Sequence, residues 1–144
     1  MNKNRLILSI FLVTLCGCHK EDLSNSDDYV GTYNVSVINK TRIGTESLSD
    51  SSTGVFSIYK ISSKRVQVVG YIETYGEIQN NKVYFEPMSY SNNGTEMETS
   101  FEPAQLNGKI LIFRTITSGH YIYNGKSYPY SCESNWTAIR QDEE

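Results

Sequence analysis

The strongest structural signal in the sequence is the segment Tyr121-Ile122-Tyr123-Asn124-Gly125-Lys126-Ser127-Tyr128-Pro129-Tyr130. Asn-Gly between two alternating segments is the strongest short-range hairpin signal, because both positions of a type I′ turn need positive φ. A two-residue turn here predicts that Tyr123 pairs with Lys126 and that Tyr121 pairs with Tyr128. Successive side chains of a strand point to opposite faces. One face of the hairpin should therefore carry Tyr121, Tyr123, Tyr128 and Tyr130.

Alternation of the same kind recurs along the rest of the chain, between further turn signals such as Asn107-Gly108. No long segment has the 3.6-residue period of a helix. We therefore predict that residues 29–140 form one all-β domain, an antiparallel meander of about eight strands closing into a small barrel. A β-sandwich is the alternative. Residues 39–54 are rich in Ser, Thr, Gly and Asp, and are predicted to be a long loop or a weak strand pair at the rim.

Residues 109–117 are apolar on both faces of the predicted strand. Ile110, Ile112 and Ile116 alternate with Leu111 and Phe113. Such a pattern is typical of a central strand or of one that is covered on both faces.

The chain opens with a segment typical of protein export. Lys3 and Arg5 precede an apolar run, residues 6–15, that only Ser9 and Thr14 interrupt. A positive segment followed by a short apolar run is a secretory signal. The run is too short to cross a bilayer as a helix, which needs about 20 apolar residues.

Leu15-Cys16-Gly17-Cys18 follows directly and resembles the lipobox of bacterial lipoproteins. The resemblance implies that residues 1–17 are removed as a signal peptide and that the Cys18 thiol receives a lipid. Cys16 is a poorer acceptor because it follows bulky Leu15. Stable anchoring needs more than one acyl chain, and a lipid-modified N-terminal cysteine carries several.

Residues 18–28 are polar and acidic, and are predicted to be a disordered tether between the lipid and the domain. Lys20-Glu21-Asp22 also resembles the acidic signal that sends lipoproteins of gut-commensal Gram-negative bacteria to the cell surface. We expect an outer-membrane anchor with a surface-exposed domain, and a periplasm-facing anchor is the alternative. Residues 141–144 form a charged tail.

Composition and motifs exclude several classes of function. Loss of Lys3 and Arg5 with the signal shifts the formal net charge from −3 to −5, and no basic cluster remains for nucleic acid. The chain has no Gly-x-Ser-x-Gly, no His-Glu-x-x-His, no Cys-x-x-Cys and no phosphate-binding loop. We therefore predict a protein that is not an enzyme and that needs neither a cofactor nor a metal.

Two groups of reactive residues are candidate sites. Cys132 is the single cysteine with an unmodified thiol after processing, and a Cys132–His120 nucleophilic pair has no supporting motif. A buried, apolar Cys132 is the simpler interpretation. Glu96, Glu98 and Glu102 share one face of a predicted strand and could bind a cation or transfer protons, but alternation explains them as a solvent face.

Gly31-Thr32-Tyr33 at the start of the first strand, together with the meander, resembles the small lipocalin-like (calycin) domains of secreted lipoproteins. Tyr33 stands where true lipocalins have Trp. The resemblance spans about residues 29–140 and implies a barrel that binds a ligand at its mouth. Two functions remain open. In one, Tyr121, Tyr123, Tyr128 and Tyr130 bind a small apolar or glycan-type ligand. In the other, these tyrosines and residues 39–54 bind a protein, as in an accessory subunit, adhesin-like element or inhibitor.

Overall fold

The alternation in the sequence becomes ten antiparallel strands in the computed structural model, which describes residues 25–142. No helix among these residues is long and apolar enough to span a membrane. All ten strands belong to one sheet, so the domain is all-β and is not a sandwich. In chain order the strands are β1 (Gly31–Ile43), β2 (Glu46–Ser62), β3 (Arg65–Gly70), β4 (Thr74–Gln79), β5 (Lys82–Phe85), β6 (Met88–Asn92), β7 (Thr95–Phe101), β8 (Ala104–Asn107), β9 (Ile110–Tyr123) and β10 (Lys126–Arg140).

Eight of these strands close into a ring in the order β10-β1-β2-β3-β4-β5-β8-β9, and β9 pairs back with β10. The predicted antiparallel sheet of about eight closing strands is therefore confirmed. The β6–β7 hairpin lies outside the ring. One edge of β9 serves two neighbours, since residues 110–112 pair with β8 and residues 115–120 pair with β7.

The long strands continue past the ring as a second region, which we call the extension. It comprises β6, β7 and the adjoining parts of four long strands: residues 115–123 of β9, 126–132 of β10, 39–43 of β1 and 46–53 of β2. Residues 39–54, predicted as a loop or a weak strand pair, form a strand pair that turns at Gly44. The ring and the extension thus share one continuous sheet.

Side chains from every strand of the ring fill its interior. Phe113 stacks on Trp136 with ring centroids 5.1 Å apart, and Phe85 meets Phe113 edge-on at 5.4 Å. Gly76 permits this density, because a Cβ there would lie 2.5 Å from Val83. Burial of apolar surface at close packing stabilises the fold. The fully buried large residues of this core include Tyr33, Phe56, Ile58, Val66, Val68, Ile78, Val83 and Leu111.

One end of the ring is closed by the first and last residues of the domain. The Tyr33 hydroxyl donates to the Tyr29 carbonyl oxygen at 2.7 Å, and Arg140 donates to the Asp28 carbonyl oxygen at 2.8 Å. Burial raises the pKa of Tyr33 to about 12, although nearby Arg140 opposes the shift. Gly31 makes room for Arg140, since its φ is 145° and a Cβ would lie 2.8 Å from the Arg140 side chain.

One sequence expectation needs correction. The predicted tether ends early, because Ser26–Asp28 form a 3-10 turn in which Ser26 is buried and donates to Ser63 O at 3.0 Å. The charged tail, residues 141–144, begins with a backbone hydrogen bond in which Gln141 N donates to Thr32 O at 2.8 Å. Of the two alternatives predicted for residues 109–117, the structure has the first, because β9 is a central strand and is not covered on both faces. Its outward isoleucines, Ile110, Ile112 and Ile116, are 39%, 47% and 38% exposed.

Candidate functional site

The face that lines the ring continues onto the extension, where we call it the inner face. Along strand β10, the side chains on this face become more exposed from the ring toward the extension. Ala138, Trp136 and Ser134 are buried, whereas Tyr130 and Tyr128 are half-buried. The strand therefore leads from the packed core to a surface that solvent can reach.

The β9–β10 hairpin has the predicted register. Tyr123 is opposite Lys126 and Tyr121 is opposite Tyr128. Asn124 and Gly125 have φ values of 49° and 70°, as a type I′ turn requires. Tyr121, Tyr128 and Tyr130 are half-buried on the inner face, and Tyr123 at the tip is 58% exposed.

A row of hydroxyl and thiol groups crosses the base of the extension. The register aligns Thr41, Cys132, Thr117 and Thr99 on four neighbouring strands. The Thr41 hydroxyl donates to Cys132 Sγ at 3.3 Å, and the Thr99 and Thr117 hydroxyls are 2.8 Å apart. Burial raises the pKa of Tyr130, and neighbouring Cys132 raises it further. The phenol therefore stays protonated and able to donate at neutral pH.

Tyr71 lies at the junction between the core and the inner face. It meets Trp136 edge-on at 5.7 Å between centroids, and its hydroxyl donates to Ser52 Oγ at 2.8 Å. Gly54 makes room for its ring, because a Cβ there would lie 2.2 Å from Tyr71. Sequence reasoning missed Tyr71, which lies between two short strands and carries no local signal of this contact.

The β6–β7 hairpin completes the inner face on one side. Tyr90 is 54% exposed and is opposite Met97, which is opposite Gly119 of β9. Gly119 is opposite Tyr130 in turn. Gly119 allows β7 to approach β9 closely, because a Cβ there would lie 2.0 Å from the Glu96 carbonyl oxygen. Tyr130 and Met97 lie on strands two spacings, or about 10 Å, apart.

Three hairpin tips form the rim of the extension. Gly44 N donates to Pro129 O at 2.9 Å, which joins the β1–β2 turn to β10. A Cβ on Gly94 would lie 3.5 Å from Ile122, so the β6–β7 turn lies against β9. The exposed side chains Leu48 and Tyr123 lie near this rim, at 59% and 58% exposure.

The other candidate residues from the sequence do not lie together at one reactive site. His120 is exposed on the outer face, whereas Cys132 is buried on the inner face of the neighbouring strand, so they cannot act as a pair. Glu96 and Glu98 are exposed on the outer face, and Glu102 is paired with Arg114 at 3.0 Å. Among residues 25–142, no three His, Cys, Asp or Glu side chains are grouped to hold a metal ion.

Cys18 and the rest of the lipobox lie outside the described residues. The lipoprotein prediction therefore depends on Leu15-Cys16-Gly17-Cys18, and the likeness to lipocalin-like domains depends on the strand pattern and Gly31-Thr32-Tyr33. Comparison with known proteins assigns no family, since no protein-family model matches the chain and no curated protein matches it significantly.

Proposed function

We propose that the protein is a lipoprotein of the outer membrane, anchored through Cys18, which displays a non-enzymatic domain that binds a glycan-type ligand on the inner face of the extension. The observation that carries the proposal is the partial exposure of Tyr121, Tyr128 and Tyr130 on that face. In the ring, the same face is closed by core packing. In the extension, the described part of the chain covers the face only in part, which leaves the three tyrosines half-buried.

The chemistry of the inner face favours a sugar over a purely apolar molecule. Tyrosine rings offer flat apolar surfaces for stacking, and their hydroxyls add hydrogen-bonding groups at the edge of each ring. The Thr41 and Thr99 hydroxyls lie below them. An apolar ligand prefers a concave, largely enclosed pocket. The interior of the ring is occupied by its own side chains.

The position of the N-terminus supports display away from the membrane. Ser26 binds the β2–β3 turn through Ser63, at the end of the ring where Arg140 also lies, opposite the three hairpin tips. Residues 18–24 span at most about 25 Å when fully extended. A lipid on Cys18 would hold the closed end of the ring near the bilayer and turn the extension outward.

A protein partner is the second candidate, and the rim favours it. Tyr123 and Leu48 are large, exposed and close to hairpin turns. Tyrosine is enriched at protein interfaces, where one ring supplies both apolar area and a hydroxyl. An accessory subunit, an adhesin-like element or an inhibitor would use this surface.

Binding can be tested with the full chain in detergent micelles on an array of oligosaccharides, with affinities then measured by calorimetry. The double variant Tyr121→Ala, Tyr128→Ala should bind at least about tenfold more weakly, because two stacking contacts are lost. The control is Tyr59→Ala with Tyr84→Ala, which removes exposed tyrosines elsewhere on the ring, 54% and 41% exposed. If no oligosaccharide binds, or if both pairs weaken binding equally, the inner-face proposal is wrong.

A further inference from the structure

Strand β6 leaves one edge of the sheet open. It pairs with β7 on one side, and no other strand of the described residues pairs with its second side. Ser89, Tyr90, Ser91 and Asn92 are all exposed. A free strand edge presents unpaired N–H and C=O groups, which another extended segment can use.

The opposite edge of the extension, formed by β2, is protected against the addition of a strand, whereas β6 is not. Residues 46–55 of β2 pair only with β1, since the pairing of β2 with β3 begins at Phe56. This part of β2 carries the acidic residues Glu46 and Asp50. At its lower end, Tyr71 N donates to Val55 O at 3.0 Å and covers the edge. Charged residues and covering loops are the usual protection of edge strands. Met88–Asn92 has neither charge nor proline.

The outer face beside β6 carries two exposed glutamates, and His120 of β9 is opposite one of them, Glu96. Ser91 is opposite Glu96, and Ser89 is opposite Glu98. Neither glutamate belongs to an ion pair among the described residues. A strand added to β6 would lie two strand spacings, about 10 Å, from β7. An extended Arg or Lys side chain on that strand can meet a glutamate side chain over the small serine between them.

The inner face beside β6 favours an apolar side chain on the added strand. Tyr90 is 54% exposed there, and Met88 is half-buried. An apolar residue on the added strand would pack beside them, as cross-strand neighbours do. The two faces together define an alternating pattern, in which basic residues point to the outer face and apolar residues point to the inner face.

We propose that β6 is a strand-addition site for an extended basic–apolar–basic segment of a partner protein. Main-chain hydrogen bonds to β6 give affinity, Glu96 and Glu98 select the basic positions, and Tyr90 selects the apolar position between them. This site uses the sheet edge, the outer face and Tyr90 at the margin of the inner face. It requires neither Tyr121 nor Tyr128, on which the glycan-type ligand proposed above depends.

The probe is fluorescein-labelled acetyl-Arg-Ile-Arg-Ile-Arg-amide, titrated into the full chain in detergent micelles and followed by fluorescence anisotropy. Tyr90→Lys, which places a charge on the edge strand, should weaken binding, while Tyr59→Lys at an equally exposed site elsewhere should not. Glu96→Gln with Glu98→Gln should weaken binding roughly fivefold, and the matched pair Glu73→Gln with Glu77→Gln should leave it unchanged. Hydrogen exchange should slow at Met88–Asn92 when the peptide is present.

Three results would overturn the proposal. A peptide with Pro in place of Ile has the same charge but cannot complete a ladder, so equal binding of both peptides would mean simple charge attraction. Slowed exchange at residues 46–51 instead of β6 would place the peptide at the other edge. Sedimentation that shows a dimer without peptide, lost in Tyr90→Lys, would assign the edge to a second copy of this chain.

Discussion

Gly119→Ala is expected to detach the β6–β7 hairpin from the ring. Gly119 has φ of 156°, and a Cβ there would lie 2.0 Å from the Glu96 carbonyl oxygen and 2.8 Å from Met97 Cα. Both obstacles are backbone atoms of β7, so no side-chain rotation relieves the contact. Backbone strain at such a φ costs on the order of 1–3 kcal/mol. The collision adds to it, and we expect a total loss of about 3 kcal/mol in the free energy of unfolding.

Gly108→Ala is the matched control. Gly108 also has positive φ, 62°, but no atom lies within 4 Å of its added Cβ. It should cost only about 1 kcal/mol, the price of the left-handed conformation alone. Urea unfolding gives both values, and hydrogen exchange should show faster exchange confined to β6 and β7 in Gly119→Ala. Equal losses in the two variants would refute the role assigned to the close approach of β7.

Three further predictions concern the junction, the closed end of the ring and the anchor. Tyr71→Ala should lower the free energy of unfolding by about 2 kcal/mol, because packing on Trp136 is lost. Tyr71→Phe should lower it by about 1 kcal/mol, because the hydrogen bond to Ser52 is lost. Urea unfolding measures both values. Because the pKa of Tyr33 is raised from 10.0 to about 12, its contribution is fully present below pH 10 and is lost as pH rises to about 12; alkaline unfolding of Tyr33→Phe should lack that decline. Cys18→Ala should release the protein from the membrane fraction, and a variant that stays bound would contradict anchoring through this thiol.

Local chemistry explains why the β9–β10 hairpin was predictable. The conformation of Asn124-Gly125 depends on two residues, and the register of Tyr121 with Tyr128 follows from the length of the turn. The tyrosine face is a direct consequence of that register. Closure of the sheet was also predictable, because alternating strands with short connections have few ways to bury their apolar sides.

Long-range pairing explains what the sequence did not reveal. The β6–β7 hairpin and β8 both pair with one edge of β9, and nothing local distinguishes a strand in the ring from one outside it. Tyr71 meets Trp136 across 65 positions of the chain, a contact without a sequence pattern. Alternation in β9 identified two apolar sides but not which of them is covered, since exposure of Ile112 depends on strands far away in sequence.

The division of one β9 edge between β8 and β7 makes the domain modular. The ring closes through β8 alone, so β6 and the first part of β7 can open as a separate unit while the core stays packed. Phe101 at the end of β7 remains with the core, where its ring lies 5.5 Å from that of Phe85. Substitutions and insertions in the exposed residues 89–94 would therefore alter the free edge and the margin of the inner face without loss of the fold. Natural variation or laboratory grafting could therefore change the surface of this hairpin without changing the stability of the ring.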